Sequence, residues 1–158
     1  SCLQKDAEVV HLDASKTSVQ WARENAEASH LSDKKARWIV DDVQKFVQKE
    51  VRRESKYEAI ILDPPSFGRG AKNEVWKIEE HLIPLLDDLK KLMSDRFAFM
   101  QLSSHSQGYT PLALKNLLSQ VCNDFSGHYD AEEMIVLDEK GKSLPSGAHC
   151  FFVANNLI

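Results

Sequence analysis

The sequence lacks several features that mark particular classes of protein. No apolar run approaches the roughly 20 residues that a membrane-spanning helix needs, and no signal peptide opens the chain. The three cysteines, Cys2, Cys122 and Cys150, lie far apart and form no CxxC pair. Free thiols in a reducing cytoplasm are therefore expected, and a metal site is not. There are no internal repeats and no low-complexity tracts.

An excess of positive charge is also missing. The formal net charge is −4 and the isoelectric point is about 5.9, so the bulk charge does not predict a nucleic-acid binder. Basic residues do cluster locally, and a solvated helix face explains the first cluster at least as well as an RNA contact does. The two clusters are Lys49, Arg52, Arg53 and Lys56, and then Arg69, Lys72 and Lys77.

What the chain does contain is an alternation of short apolar runs with helical patterns. Its 158 residues, 42% hydrophobic and 28% charged, are enough for one compact domain with a core. Strands are predicted over 8–12, 36–40, 57–62, 97–102, 134–137 and 150–154. The third is expected to be buried, and the last two to form an antiparallel hairpin. The alternation predicts a doubly wound α/β sheet.

The intervening helices have their own sequence signals. They are predicted over 16–28, 43–53 and 74–93, and from Pro111 onward. Ser15 and Thr110 are expected N-caps, because a hydroxyl at that position accepts from a free backbone N–H. Pro84 is expected to kink the third helix or to start a second piece.

Acidic residues follow the first two predicted strands. In an open parallel sheet, ligands bind beyond the carboxyl ends of the strands. Asp13, in HLDAS, can accept both hydroxyls of a ribose, or it can cap the next helix together with Ser15. In VDDVQKF, either Asp41 or Asp42 can accept from an adenine amino group while the Val43 N–H meets a ring nitrogen. Acidic residues are also common in the first turn of helices, so both alternatives stay open.

The third predicted strand runs into Asp63, Pro64 and Pro65. Two successive prolines fix φ and remove both N–H donors, so the loop is stiff and its carbonyl groups are free to accept. Phosphate, which needs N–H donors, fits such a loop poorly. A substrate that donates, such as an amino group or a base edge with an N–H, fits it well. The alternative is a rigid exit from the strand.

Together, these acidic strand ends resemble those of the class I S-adenosylmethionine-dependent methyltransferases. HLDAS resembles their ribose-binding loop, VDDVQKF their adenine-binding segment and LDPPSFGRG their catalytic fourth motif. The closer resemblance is to the bacterial large-subunit ribosomal RNA methyltransferases, in which DDVxKF and DPPxF occur together. It covers roughly residues 1 to 155. It implies a Rossmann-like, mostly parallel sheet with an antiparallel last strand, S-adenosylmethionine as cofactor, and ribosomal RNA as partner.

The resemblance also implies site residues. The cofactor-binding residues would be Asp13, Ala14, Ser15, Asp42, Val43 and Asp63, and the catalytic residues Asp63, Pro64 and Pro65. Methyl transfer would be a direct S_N2 step that depends on proximity and alignment.

One departure concerns the start of the fold. The family's first strand and its glycine-rich loop are missing, and Ser1 to Lys5 resembles the tail of the first helix. With a family strand order of 3-2-1-4-5-7-6, the strands that end at Asp13 and Asp63 would flank an empty position. Residues 1–158 are therefore expected to be the C-terminal portion of one catalytic domain, with the first strand, the loop and an N-terminal domain upstream.

A second departure concerns the acceptor. Cytosine-C5 enzymes place a cysteine after the fifth strand, where this chain has Ser103, Ser104 and His105. A serine without an activating base replaces a thiolate poorly, which favours direct transfer to a nucleobase nitrogen. A serine also separates the two prolines from Phe67. Substrate contacts are predicted at Phe67, by stacking on a flipped base, and at Ser104 and His105.

Two other functions fit parts of the pattern. A nicotinamide-binding oxidoreductase would share the sheet and an acidic residue like Asp13, but it leaves Asp63-Pro64-Pro65 unexplained. A non-catalytic interaction domain of the same fold is the other alternative, because the cofactor loop is missing.

Overall fold

The computed structural model describes residues 2–69 and 75–155. The chain separates into two compact units, one built from residues 1–49 and 69–75 and the other from 50–68 and 76–158. None of the helices in the described ranges is long and apolar enough to cross a membrane.

The first unit is built around two parallel strands. After a short 3₁₀ helix, Leu3–Lys5, come β1 (Val9–Asp13), α1 (Lys16–Ala28), β2 (Ala36–Val40) and the start of α2 (Val43–Arg52). The register of the two strands pairs Val9 with Ala36 and Asp13 with Val40. Ser15 caps α1 as predicted, since its side chain accepts from the backbone N–H of Ser18. The apolar face of α2 buries Phe46 and Val47.

The second unit contains a four-stranded sheet in the order β3-β6-β8-β7. Its strands are β3 (Ala59–Leu62), β6 (Phe99–Ser104), β7 (Gly127–Leu137) and β8 (Ser143–Ala154), and its helices are α3 (Ile78–Lys91) and α4 (Pro111–Val121). β3 and β6 are parallel, whereas β8 runs antiparallel to both of its neighbours. The α/β class and the antiparallel last strand are therefore confirmed, and the terminal hairpin is longer than predicted.

The core of the second unit is made by α3, α4 and the inner positions of β6 and β8. Thr110 caps α4 as predicted, and Pro111 occupies its first turn. Full burial of a Leu or Phe side chain contributes about 1.5–3 kcal/mol to the free energy of folding. The large side chains with almost no exposed surface are Phe97, Phe152, Ile78, Leu82, Leu85, Leu86, Leu92, Met100, Leu102, Leu114 and Leu118.

Two short strands, β4 (Phe67–Arg69) and β5 (Val75–Lys77), form a sheet of their own. The prediction that 75–77 belong to a helix was wrong, and residue 74 lies outside the described residues. β-Branched and aromatic side chains such as Val75 and Trp76 favour strands, and the Trp76 Nε1–H donates to the Pro65 carbonyl oxygen at 2.7 Å. α3 runs through Pro84 as a single helix, so no second piece begins there.

The prediction that the third strand is buried was also wrong in part. In β3 only Leu62 is buried, and Ile61 is 58% exposed. The reason is position: β3 is at the edge of its sheet, and β6 is its only partner among the strands of the described ranges.

Candidate active site

The first unit places Asp13 at the carboxyl end of β1. Its Oδ1 accepts from the backbone N–H of Ser15 at 2.7 Å, so the helix-capping alternative is realised. This contact uses one carboxylate oxygen. For Oδ2, no partner is found within the described part of the chain. Ala14 is exposed beside it. A hydroxyl-bearing ligand can therefore still reach the carboxylate.

Asp42 and Asp41 lie next to Asp13, because the Asp41 N–H donates to the Asp13 carbonyl oxygen at 3.3 Å. Asp42 Oδ1 caps the start of α2 by accepting from the Lys45 N–H at 2.9 Å, just before Val43 begins the helix. Parallel pairing of β1 with β2 thus brings the predicted ribose and adenine segments together.

Asp41 has a structural role of its own. Its Oδ2 lies 2.8 Å from Lys49 Nζ, and this hydrogen bond, which outweighs a partial desolvation, lowers the pKa of Asp41 from its usual value. Its Oδ1 accepts from the Asp42 N–H. Asp41 therefore stiffens the turn that presents Asp42.

The second unit places Asp63 at the exposed end of β3. The Ser103 hydroxyl on β6 donates to Asp63 Oδ1 at 2.7 Å, and the same Oγ lies 3.3 Å from the Leu62 carbonyl oxygen. Ser103 is buried, so its side chain has little freedom. The sequence prediction did not include Ser103. The available signal was its place at the end of the strand beside β3.

His105 also faces Asp63. Its Nε2 lies 3.9 Å from Asp63 Oδ1, and its Nδ1 hydrogen-bonds to the Ser146 carbonyl oxygen on β8. Both facing side chains are more than half exposed, so a ligand can reach them. The predicted substrate contact at His105 is thus placed beside the predicted catalytic residue. Ser146 was not foreseen.

Ser104 is nearly fully buried, and its Oγ accepts from the Ser106 N–H at 3.1 Å. A side chain of which only 1% is exposed does not reach a substrate, so the predicted contact at Ser104 is not supported. Ser106 instead reaches the loop after β3, with its Oγ 2.8 Å from Ser66 Oγ.

The proline loop is held at two of its carbonyl oxygens. The Pro65 carbonyl accepts from Trp76 Nε1, and the Ser66 carbonyl accepts from the Ile78 N–H at 3.0 Å. The expectation that the carbonyl groups of the loop are free is therefore wrong for Pro65 and Ser66. For the Pro64 carbonyl, no donor is found among the residues that the structure describes. Phe67 follows with 54% of its surface exposed. Pro64 itself is buried, so the groups that the loop exposes are the Asp63 carboxylate and the Phe67 ring.

The chain was compared with protein-family models, with curated proteins and with solved structures. No protein-family model matches the chain. A ribosomal RNA large subunit methyltransferase I from Aeromonas salmonicida is 38% identical over 60 residues, which cover 38% of this chain and 15% of that protein. A ribosomal RNA large subunit methyltransferase K/L from Shewanella frigidimarina is 32% identical over 87 residues, 54% of this chain and 12% of that protein.

Among solved structures, a SAM-dependent methyltransferase from Agrobacterium tumefaciens superposes with a TM-score of 0.85 at 31% identity. The superposition covers 93% of this chain. This chain has the fold of the class I S-adenosylmethionine-dependent methyltransferases. It spans 49% of the Agrobacterium protein, and only 15% and 12% of the two curated relatives.

None of the three cysteines is among the residues of the candidate site. All three are free, and Cys122 and Cys150 are buried. Burial raises the pKa of Cys122 to about 12 and that of Cys150 to about 11, so neither is a ready thiolate. In the described ranges, no group of three or more metal-ligating side chains is found.

Three residues of the first basic cluster, which spans the end of α2 and the turn after it, make contacts within the protein. Lys49 pairs with Asp41, Arg53 Nη1 lies 2.9 Å from Glu50 Oε1, and Lys56 Nζ donates to the Lys91 carbonyl oxygen at 2.9 Å. These contacts favour the structural explanation of the cluster over an RNA contact. In the second cluster, Lys72 lies outside the described residues.

Proposed function

We propose that this chain belongs to the catalytic domain of an S-adenosylmethionine-dependent methyltransferase that modifies a nucleobase nitrogen in ribosomal RNA. The observation that carries the proposal is the position of Asp63 at the end of β3, where Ser103 orients its carboxylate. The fold around it superposes on a SAM-dependent methyltransferase whose sequence is 31% identical. The names of the curated relatives support ribosomal RNA as the partner. A cytoplasmic location stays part of the prediction.

The hydrogen-bonding groups of the first unit fit the cofactor. Ribose hydroxyls and the adenine amino group donate hydrogen bonds, and Asp13 and Asp42 offer carboxylate oxygens that accept them. The Val43 N–H at the start of α2 would meet a ring nitrogen of the adenine. When bound, the cofactor supplies a methyl group already activated by its sulfonium charge.

The second unit would position the acceptor. Asp63 and the Pro64 carbonyl beside it would accept from a group that bears N–H bonds, and the loop that carries them is held by Trp76 and Ser106. The exposed ring of Phe67 offers a surface on which a base can stack. Because the donor is activated, alignment of this kind supplies most of the acceleration.

The sheet of the family contains one further strand, which is followed by the glycine-rich loop. We propose that residues outside this chain supply it. Within the described ranges, β1 pairs only with β2, and β3 only with β6, in keeping with this proposal. The intact mass of the purified protein tests it, since a mass equal to that of this sequence alone would contradict it.

Calorimetry on the full-length protein tests the function. S-Adenosylhomocysteine is expected to bind and NADH is not. Binding of NADH alone would favour an oxidoreductase, and binding of neither would favour a non-catalytic domain. Mass spectrometry of ribosomal RNA from a deletion strain then identifies the nucleotide that loses its methyl group.

A further inference from the structure

Strand β8 contains a one-residue bulge beside the candidate site. Its pairing with β7 goes from Met134 opposite Gly147 to Ile135 opposite Pro145, so Ser146 has no opposite residue. A bulge takes its extra residue out of the ladder and re-aims the groups around it. Pairing of β8 with β6 ends at Ala148 opposite Ser104, so the Ser146 carbonyl is outside that ladder too.

The Ser146 carbonyl determines the tautomer of the neutral His105 ring. A carbonyl oxygen can only accept, so His105 Nδ1 carries the hydrogen in their hydrogen bond. In the neutral ring the lone pair then resides on Nε2. This atom is the one that faces Asp63 Oδ1 at 3.9 Å. The bulge therefore turns a hydrogen-bond acceptor toward the catalytic carboxylate.

Glycine at position 147 is required for this arrangement. Its φ of +137° lies in the region that favours glycine. A Cβ there would lie 2.6 Å from the Ser104 carbonyl oxygen and 3.0 Å from His105 Nδ1. Any side chain would push the bulge away from the end of β6, and with it the acceptor of the Nδ1–H.

Two acceptors 3.9 Å apart, both accessible, fit a ligand group that donates two hydrogen bonds. A primary amino group, such as the exocyclic amine of a nucleobase, has two N–H bonds, whereas a hydroxyl group or a ring imino group has one. We propose that Asp63 and His105 together bind the amino group that receives the methyl group, and that the Ser146–Gly147 bulge positions His105. This inference rests on the function proposed above and narrows its acceptor.

The same geometry provides a base for the proton that the amino nitrogen loses on methylation. As the amino nitrogen bonds to the methyl carbon, the electron pair of the broken C–S bond stays on the donor's sulfur. The nitrogen must then lose one proton, which His105 Nε2 accepts. Asp63 lies where it stabilises the resulting imidazolium. Solvent later takes the proton from the exposed ring.

The tautomer is tested without any activity measurement. In ¹⁵N-histidine-labelled full-length protein, at a pH where the ring is neutral, NMR is expected to show hydrogen on Nδ1 of His105. Gly147→Ala is expected to mix the two tautomers. Gly141→Ala is the matched control, because Gly141 has a φ of +77° and nothing within 4 Å of its added Cβ. Hydrogen on Nε2 in the unaltered protein would overturn the proposal.

Kinetics of two His105 variants test the role of Nε2. His105→Asn keeps a donor near the Nδ1 position but has no group at the ε position, and we expect kcat to fall about 100-fold with unchanged affinity for S-adenosylhomocysteine. His105→Gln, whose amide oxygen reaches the ε position, is expected to recover part of the loss. The product should be a methylated exocyclic amine.

The failures of the two proposals are distinguishable. A kcat of His105→Asn within about twofold of the unaltered protein, or a product methylated on carbon or oxygen, would overturn the amino-group proposal while cofactor binding stands. Absence of S-adenosylhomocysteine binding in the unaltered protein would overturn the methyltransferase function itself, and the amino-group proposal with it.

Discussion

Ser103 Oγ donates a 2.7 Å hydrogen bond to Asp63 Oδ1, so a buried hydroxyl group on β6 orients the carboxylate at the end of β3. The parallel register places Leu62 beside Leu102, and the next residue of each strand makes this contact. Hydrogen bonds to a charged acceptor are shorter and stronger than neutral ones. Asp63 is thus held in one direction although much of its side chain is exposed.

Replacement of Ser103 by alanine removes this donor. We expect the free energy of unfolding to fall by about 1 kcal/mol, and kcat/KM to fall about 10-fold because Asp63 can then rotate. Urea denaturation and methyl-transfer kinetics measure the two effects. Ser119→Ala is the control, because Ser119 is an exposed serine on α4 whose hydroxyl donates to the Asn116 carbonyl oxygen. Equal losses of activity in both variants would contradict the prediction.

Replacement of Trp76 by phenylalanine removes the N–H donor to the Pro65 carbonyl oxygen. The loop after β3 then loses one of its two carbonyl anchors. We expect faster amide hydrogen exchange at Ser66 and Phe67, and a stability loss of about 1 kcal/mol. Trp21→Phe serves for comparison, since Trp21 is 67% exposed on α1. Unchanged exchange in Trp76→Phe would show that the hydrogen bond does not restrain the loop.

Replacement of Asp13 by alanine tests the proposed ribose contact in the full-length protein. Loss of a charge-assisted hydrogen bond of about 1.5–3 kcal/mol should weaken S-adenosylhomocysteine binding roughly 10- to 100-fold. The lost hydrogen bond from the Ser15 N–H, just before α1, should cost about 1 kcal/mol of stability, which leaves the domain folded. Calorimetry measures the affinity. Asp33→Ala, at an exposed site of the same unit, should bind normally, and unchanged affinity in Asp13→Ala would count against the assignment.

Glu50 gives a pH prediction. It is 2% exposed and accepts from Tyr57 Oη at 2.7 Å and from Arg53 Nη1 at 2.9 Å. Burial raises the pKa of Glu50, but hydrogen bonds from Tyr57, Ser55 and Arg53 together outweigh burial, so the pKa lies below its usual 4.5. Its stabilising effect is therefore complete above the unfolded-state pKa and is lost as the pH falls through the folded-state value.

Glu50→Gln is expected to cost about 1–3 kcal/mol near neutral pH and to show a smaller stability loss on acidification than the unaltered protein. Urea denaturation at about pH 7 and about pH 3 measures both. Glu139→Gln, in the exposed turn between β7 and β8, should behave like the unaltered protein. An identical acid dependence in Glu50→Gln would refute the assignment.

Local signals predicted some elements to the residue. β2 occupies Ala36–Val40 and α1 occupies Lys16–Ala28, as expected from an apolar run and from the Ser15 cap. Both signals lie within a few residues of the boundary they define. β5 was missed because Val75–Lys77 precede a helical pattern without a break, and pairing with β4 decides their conformation. β7 was predicted too short because acidic residues interrupt its pattern, although pairing with β8 extends it to Gly127.

The sequence by itself determined which carboxylates stand at the strand ends, Asp13, Asp42 and Asp63, because apolar runs and the residues that follow them are local features. Only the tertiary structure decided what those carboxylates meet. Ser103 reaches Asp63 across 40 positions of sequence, and Ser146 reaches His105 across 41. Strand register and a single bulge bring these groups together. Neither can be derived from the residues on one side of the contact, because each depends on how two distant segments pair.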